Sequence, residues 1–265
     1  MSTSNVYQLS FNDLSTCVST TYTPTKSQAE IFQFPTPVSP KQPHTQQRVS
    51  PIRDPELVNK IFTALRSSGR YGLRNATIFA LQCVIGRRTN DMLRLTIQDI
   101  YDFKLNRVKD SIKVDEHKTG KTIRDLRITS KTQSLLQEYL STLKTFTPTS
   151  LLFPSQKLNT DGTQRPLNTS SLDGIYKIVT SVLFSEGDEL THISSYAARK
   201  TFGWNLYDTC MKNHNGLIPG TDINALQYVQ SVFNHESSST TLRYIGAYDT
   251  VSKELTEEAN NKYLF

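Results

Sequence analysis

The chain changes character near residue 50, and that change decides which residues can build a fold. Residues 1–50 hold 27 Ser, Thr, Pro or Gln and only five charged residues. Such a stretch cannot bury enough apolar surface to offset the entropy of ordering it, so a disordered tail is expected there. Its scattered apolar positions, among them Phe11, Leu14, Ile31, Phe32 and Phe34, offer docking points, but the composition favours a flexible extension. No apolar h-region follows Met1, so the tail does not read as a secretion signal. The folded part must come from residues 51–265, and 36% hydrophobic residues across the 265 suffice for a core.

Beyond the break the periodicity is mainly helical. Asp54-Pro55 is an N-cap followed by a first-turn proline, and Leu57, Ile61 and Leu65 recur at helical spacing. A second apolar helix is expected over Leu73–Val84, leading through Gly86 to a helix that carries Arg88. From Ile97 to Ile128 short alternating runs flank Thr119-Gly120, which predicts a small antiparallel sheet of Ser111–Glu116 and Thr122–Ile128, with Lys118 at the hairpin tip. Helices are expected from about Ser130 to Phe146 and Ser170 to Phe184, with connecting turns at Leu151–Pro154 and Asp161–Thr163 between them. Ser194-Ser195 should cap a helix bearing Tyr196 and Arg199 on one face, and Asp222 should open another with Leu226, Val229 and Phe233 inward. The polar run Lys212–Gly220 reads as a surface loop between these two helices. A short helix carries Tyr244, and Val251–Asn260 forms a last amphipathic piece.

Net charge is +6, and removing the tail leaves 27 Lys+Arg against 22 Asp+Glu, a balance compatible with a polyanionic partner. Cys17, Cys83 and Cys210 are too few and too scattered for a disulfide framework or a metal knuckle, and point to a reducing cytosol. No apolar run reaches the roughly 18 residues of a membrane span, so a soluble, cytoplasmic protein is expected, nucleoid-associated in a bacterial or phage setting.

One set of side chains suits phosphoryl transfer on DNA. Attack on a phosphodiester spreads negative charge over the non-bridging oxygens, which two guanidiniums can hold in a fixed fork; Arg88 and Arg199 are the candidates. A phenol titrates near pKa ~10 and needs neighbouring cations to act as a nucleophile, a role for Tyr244. The departing alkoxide needs a proton donor, for which Lys118 is suited. Each also has an ordinary reading: a helix-surface arginine, a solvated hairpin tip, a helix C-terminal histidine at His235, and Tyr248 as a rival to Tyr244. Trp204 reads as core rather than as a base-stacking platform. No cofactor or metal is expected, because no carboxylate or His/Cys cluster has ligand spacing.

In their order these segments resemble the tyrosine recombinase (phage integrase) family over roughly residues 54–260. Gly86-Arg87-Arg88-Thr89-Asn90-Asp91 matches the family's Gly-x-Arg-x-x-Glu/Asp and selects Arg88 over Arg87, with Asp91 placed to brace it. Asp115–Lys121 matches the lysine-bearing turn and selects Lys118 over Lys121. Tyr196-Ala197-Ala198-Arg199 occupies the His-x-x-Arg box, and His235 is followed nine residues later by Tyr244, as in the family. The resemblance implies an α+β fold, mainly helical with a small antiparallel sheet, over 51–265, with 246–265 as a candidate C-terminal exchange segment docking on a neighbouring protomer. It implies site-specific recombination through a 3′-phosphotyrosyl link without ATP or metal, double-stranded DNA as partner, and a homo-oligomer, a tetramer, on DNA. Two departures stand out. Tyr196 replaces the box histidine and offers a neutral hydrogen bond but no charge, and the 36-residue interval from Arg199 to His235 is long. His192 is expected before the helix start, where it would not replace the missing histidine. The tail is not of a composition to form the family's DNA-clamping domain, so grip on DNA falls to the catalytic domain, the tail on binding, or an accessory DNA-binding protein. A catalytically silent DNA-binding relative and a type IB topoisomerase-like nicking-closing enzyme are the alternatives.

Overall fold

A computed structural model describes residues 49–117, 120, 122–184 and 192–263. The expected tail through residue 48, Lys118 and Lys121 lie outside the described residues. Helix α1 (Pro55–Arg66) starts as its sequence dictates: Asp54 Oδ1 accepts the Glu56 amide at 2.8 Å, and Ile61 and Leu65 are fully buried. Helix α2 (Gly72–Ile85) is buried on nearly every side because α1, α5 and α7 pack around it. It ends at Gly86, whose φ of +58° is left-handed and whose missing Cβ would sit 1.9 Å from Phe202 Cδ1. Only glycine fits both demands.

Arg88 does not ride inside a helix. It is the N-cap of the one-turn α3 (Thr89–Met92), followed by α4 (Ile97–Ile100) with a Thr96/Asp99 capping box. The single expected sheet is, among the described residues, three separate antiparallel two-stranded ladders: β1 (Tyr101–Asp102) with β2 (Arg107–Val108), β3 (Ser111–Asp115) with β4 (Thr122–Arg127), and β5 (Pro154–Leu158) with β6 (Gln164–Pro166). The second ladder is the expected hairpin, with a bulge where Asp125 turns to φ +56°. The third replaces what the sequence suggested were plain turns. Asp161 Oδ1 accepts the Thr163 amide at 2.9 Å and closes an Asp-Gly turn between the strands.

Helix α5 (Ser130–Ser141) stops about a turn before its expected end, because the Ser141 and Thr142 hydroxyls donate to the Glu138 and Tyr139 carbonyls that another turn would use, at 2.6 and 2.7 Å. Helix α6 (Thr169–Thr180) gives way to a 3₁₀ turn at Ser181–Leu183. Helix α7 (Ser195–Asn213) is entered through Ser194, yet no serine side chain caps it. Asp173 Oδ1 on α6 accepts the Ser195 amide instead, at 2.7 Å. His192 lies before that helix. Helix α8 (Ala225–Phe233) begins at Asn224 rather than Asp222, since Asn224 and Gln227 form a reciprocal capping box. Helices α9 (Ser238–Tyr244) and α10 (Ala247–Tyr263) meet at Gly246. None of the described helices is long and apolar enough to cross a membrane.

Two apolar clusters divide the interior. The larger runs from Ile52 through α2, α5 and α6 to Ala198; the smaller gathers Val229, Phe233, Ile245 and Ala247 with Phe202, Trp204 and Tyr244 at its edge. Helix α7 lies between them and so buries residues on opposite sides. Full burial of Phe233 contributes roughly 1.5–3 kcal/mol to holding the Tyr244 element down. A buried polar chain, Tyr176 hydroxyl to Gln82 Oε1 at 3.0 Å and Gln82 Nε2 to Thr89 Oγ1 at 3.2 Å, fixes the residue after Arg88 to α2 and α6.

A strap precedes α1. Ile52 is buried with its amide on Thr201 Oγ1 at 2.8 Å, Lys200 Nζ donates to the Val49 carbonyl at 2.6 Å, and Arg53 stacks on Trp204 while Nη2 donates to the Gly246 carbonyl at 2.6 Å. Trp204 is thus an edge of the smaller core carrying a cation.

Candidate active site

Arg199, one turn into α7, is 4% exposed. Its Nε donates to the Tyr244 hydroxyl oxygen at 3.0 Å, and its guanidinium lies 4.8 Å above the Phe233 ring. Nη1 is buried without a hydrogen-bond partner among the described residues. A buried donor without an acceptor is costly, and an anion is the group that would complete it.

Tyr244 closes α9, and its ring meets those of Phe233 and His235 edge to face at 5.2 and 4.9 Å. Burial pushes the phenol's pKa up, and the Arg199 charge and hydrogen bond pull against that without cancelling it. Lys200 Nζ also lies 5.2 Å from this ring. Tyr248 is 43% exposed, the second residue of the next element, under the Arg243 guanidinium. The site gathers around Tyr244.

His235 follows the left-handed Asn234 that ends α8, with its amide on the Gln230 carbonyl at 3.0 Å. Its Nδ1 lies 3.1 Å from Thr241 Oγ1, and that hydroxyl donates to the Ser237 carbonyl at 3.2 Å. With the threonine proton so engaged, Nδ1 is the donor, and the neutral ring keeps an acceptor at Nε2. Burial, then Arg199 and Arg88, lower the histidine pKa from its ordinary 6.5.

Arg87 and Arg88 divide their duties. Arg87 is wholly buried, donating through Nε to the Ile85 carbonyl at 3.2 Å and through Nη2 to the Val232 carbonyl at 2.7 Å, just before the end of α8. Burial first, then Arg199, lowers its pKa to about 10. Arg88 keeps 28% of its side chain exposed. The bracing carboxylate expected at Asp91 is found at Glu116 instead. Glu116 Oε2 lies 2.7 Å from Arg88 Nη1, an ion pair off the ideal hydrogen-bond angle, and Oε1 lies 3.5 Å from Arg87 Nη1. Asp91 Oδ1 accepts the His117 amide at 3.1 Å, tying the hairpin to α3. Sequence reasoning missed Glu116, although a signal was present: Ile112 and Val114 point inward on β3, Glu116 just past its end continues the alternation, and a carboxylate at an inward position demands a buried cation.

Tyr196 sits in the first turn of α7 with 55% of its surface exposed. The structure thus gathers Arg88, Arg199, His235 and Tyr244, places Tyr196 in the first turn of the Arg199 helix, and gives Asp91 to the hairpin. Lys118, between His117 and Gly120 in sequence, lies outside the described residues.

This helical scaffold, with arginines converging on a half-buried tyrosine, is that of a DNA-strand recombinase catalytic domain. The chain belongs to the phage integrase family, whose model matches residues 53–250. The probable integrase/recombinase YoeC of Bacillus subtilis strain 168 is 27% identical over 198 residues, which is 75% of this chain and 90% of that protein. The XerH site-specific recombinase, solved bound to palindromic difH substrate in a post-cleavage complex, superposes with a TM-score of 0.52 at 20% identity over 83% of this chain and 54% of its own. The Tn1549 transposon integrase in complex with a circular intermediate DNA gives 0.50 at 16% identity, over 79% and 66%. The chain therefore spans about half the length of the XerH structure, and at these identities the likeness is one of fold.

Proposed function

We propose that this protein cuts and rejoins double-stranded DNA through a covalent tyrosyl intermediate. The observation that carries the reading is the Arg199 Nε to Tyr244 hydroxyl bond at 3.0 Å, with Arg199 Nη1 left open beside it. One guanidinium can hold both the nucleophile and a non-bridging phosphate oxygen. Arg88 supplies the second cation. Tyr244 attacks phosphorus, its proton passing to the neutral His235, whose ring packs on its own at 4.9 Å. A tyrosine-oxygen to phosphorus bond forms, the bond from phosphorus to the 5′ oxygen breaks, and Lys118 protonates that oxygen as it leaves. The reverse attack by a 5′-hydroxyl reseals a strand, so bond energy is conserved. Tyr196 adds a neutral hydrogen bond to the phosphate.

The family resemblance suggests the assembly: a tetramer on paired sites, with α10 docked on a neighbour, working in the cytoplasm or nucleoid. Residues 1–50 or an accessory DNA-binding protein complete the grip. The XerH and Tn1549 relatives, solved with their substrate and DNA, support a DNA partner.

The test is covalent trapping on nicked duplexes drawn from sequence flanking the gene. Wild-type protein and Tyr248→Phe should give a denaturant-resistant DNA adduct; Tyr244→Phe should give none while still shifting DNA in a gel. DNA binding without any adduct would favour the silent relative, which the exposed Tyr196 in the histidine box would suit. Relaxation of supercoils without joined recombinant strands would favour a nicking-closing enzyme.

A further inference from the structure

Glu116 is 1% exposed, at the inward position after Ile112 and Val114. A carboxylate there is tolerated only if paired, and its two oxygens go to two different arginines. Were its work only to neutralise the wholly buried Arg87, the closer approach would be to Arg87; it is instead to Arg88, at 2.7 against 3.5 Å. The next residue repeats the link, with the His117 amide on Asp91 of α3. Through Arg87 Nη2 on the Val232 carbonyl the same carboxylate is joined to the end of α8, three residues before His235.

Building on the recombinase reading, we propose that Glu116 is a positioning residue: its carboxylate sets the Arg88 guanidinium in the orientation that grips the scissile phosphate. Seating of the β3–β4 hairpin and presentation of Arg88 are then one event. A guanidinium whose Nη1 is drawn to a buried carboxylate is restrained from swinging away while the site is empty, which leaves its remaining N–H groups to face the phosphate.

A mutant cycle separates this role from simple structural support. Glu116→Gln should lower the rate of adduct formation by about 10²-fold with little change in DNA affinity. In an Arg88→Ala background the same change should cost less than about threefold, because the group it acts through is gone. Equal losses in both backgrounds, or an unchanged rate in folded Glu116→Gln, would overturn the proposal. Should Glu116→Gln fail to fold, Glu116→Asp keeps a charge near Arg87 but is one methylene too short for Arg88. It should melt near wild type and cleave slowly; a lowered melting temperature with a normal rate would make Glu116 a mere counter-ion. DNA carrying sulfur at the 5′ bridging position needs no proton donor for its leaving group, and the Glu116→Gln defect should persist on it. A defect that vanishes there would assign Glu116 to the leaving-group donor, contrary to the proposal. Wild-type protein that forms no adduct would sink the recombinase reading alone. The Arg88 Nε–H resonance of the DNA-free protein, identified by its loss in Arg88→Lys, should still move and broaden in Glu116→Gln, and an unmoved signal would refute the positioning role.

Discussion

Arg199 holds Tyr244 by Nε and offers Nη1, a division of labour that needs a planar fork. Lysine at 88 or 199 keeps the charge and loses the fork, so Arg88→Lys and Arg199→Lys should each slow adduct formation by about 10²–10³-fold in single-turnover assays; near-normal rates would refute the arginine cradle. Tyr196→His should retain or raise the rate and Tyr196→Phe lower it modestly, and identical rates for all three would deny the hydroxyl a role. His235 has a lowered pKa when folded, so the folded state binds fewer protons than the unfolded chain as pH falls through about 6.5. The stabilisation from its neutral form is complete above that pH and is lost as pH drops toward the folded value. DNA-free wild type should lose melting temperature between pH 7.5 and 5.5 more steeply than His235→Gln, and parallel slopes would contradict the shift. At this scale His235 and Tyr244 were paired by the family's nine-residue spacing, and the structure brings their rings to 4.9 Å. Arg88 was separable from Arg87 only by resemblance, and burial gives the physical reason: one guanidinium is spent on Ile85, Val232 and Glu116. Glu116 escaped because its partners lie 28 and 29 positions away.

Among the elements, α2 and α7 cross where Gly86 faces Phe202, and α7 and α8 where a Cβ on Gly203 would come 2.4 Å from the Phe233 ring. Arg199 lies on α7 one turn before both contacts. Gly86→Ala and Gly203→Ala should each destabilise by about 1–3 kcal/mol through overpacking, seen in urea melts, and they should reduce cleavage by displacing Arg199. Variants as stable as wild type would mean the seams can open without cost. Helix periods and the β3–β4 hairpin were legible because their alternations are local. Helix ends were less so: the stop of α5 and the start of α8 depend on which hydroxyl or amide captures a carbonyl or N–H, and several nearby residues could have done either. The β5–β6 ladder was missed because its strands are mostly polar and exposed, leaving only the Asp161-Gly162 turn as a signal.

Across the whole molecule, α10 packs on α9 while Leu255 remains 59% exposed and Ala259 is also open to solvent. If this helix docks on a neighbour, deleting residues 250–265 should weaken multimers on paired-site DNA more than single-subunit binding. Unchanged sedimentation with normal strand exchange would rule that out. The amphipathic tail was visible in sequence, but its anchorage was not, since Arg53 reaches Gly246 across 193 positions. That hydrogen bond ties the strap before α1 to the start of the tail. Gly246, at φ +71° between the nucleophile's helix and α10, is the joint about which the tail would swing, and Arg53 must release its carbonyl if the swing moves the joint. The bond is exposed, so water competes for the guanidinium and its release costs about 1 kcal/mol. Arg53→Ala should therefore self-associate without DNA at concentrations where wild type sediments as a monomer, so that the residue entering the domain sets when its far end becomes available to another subunit.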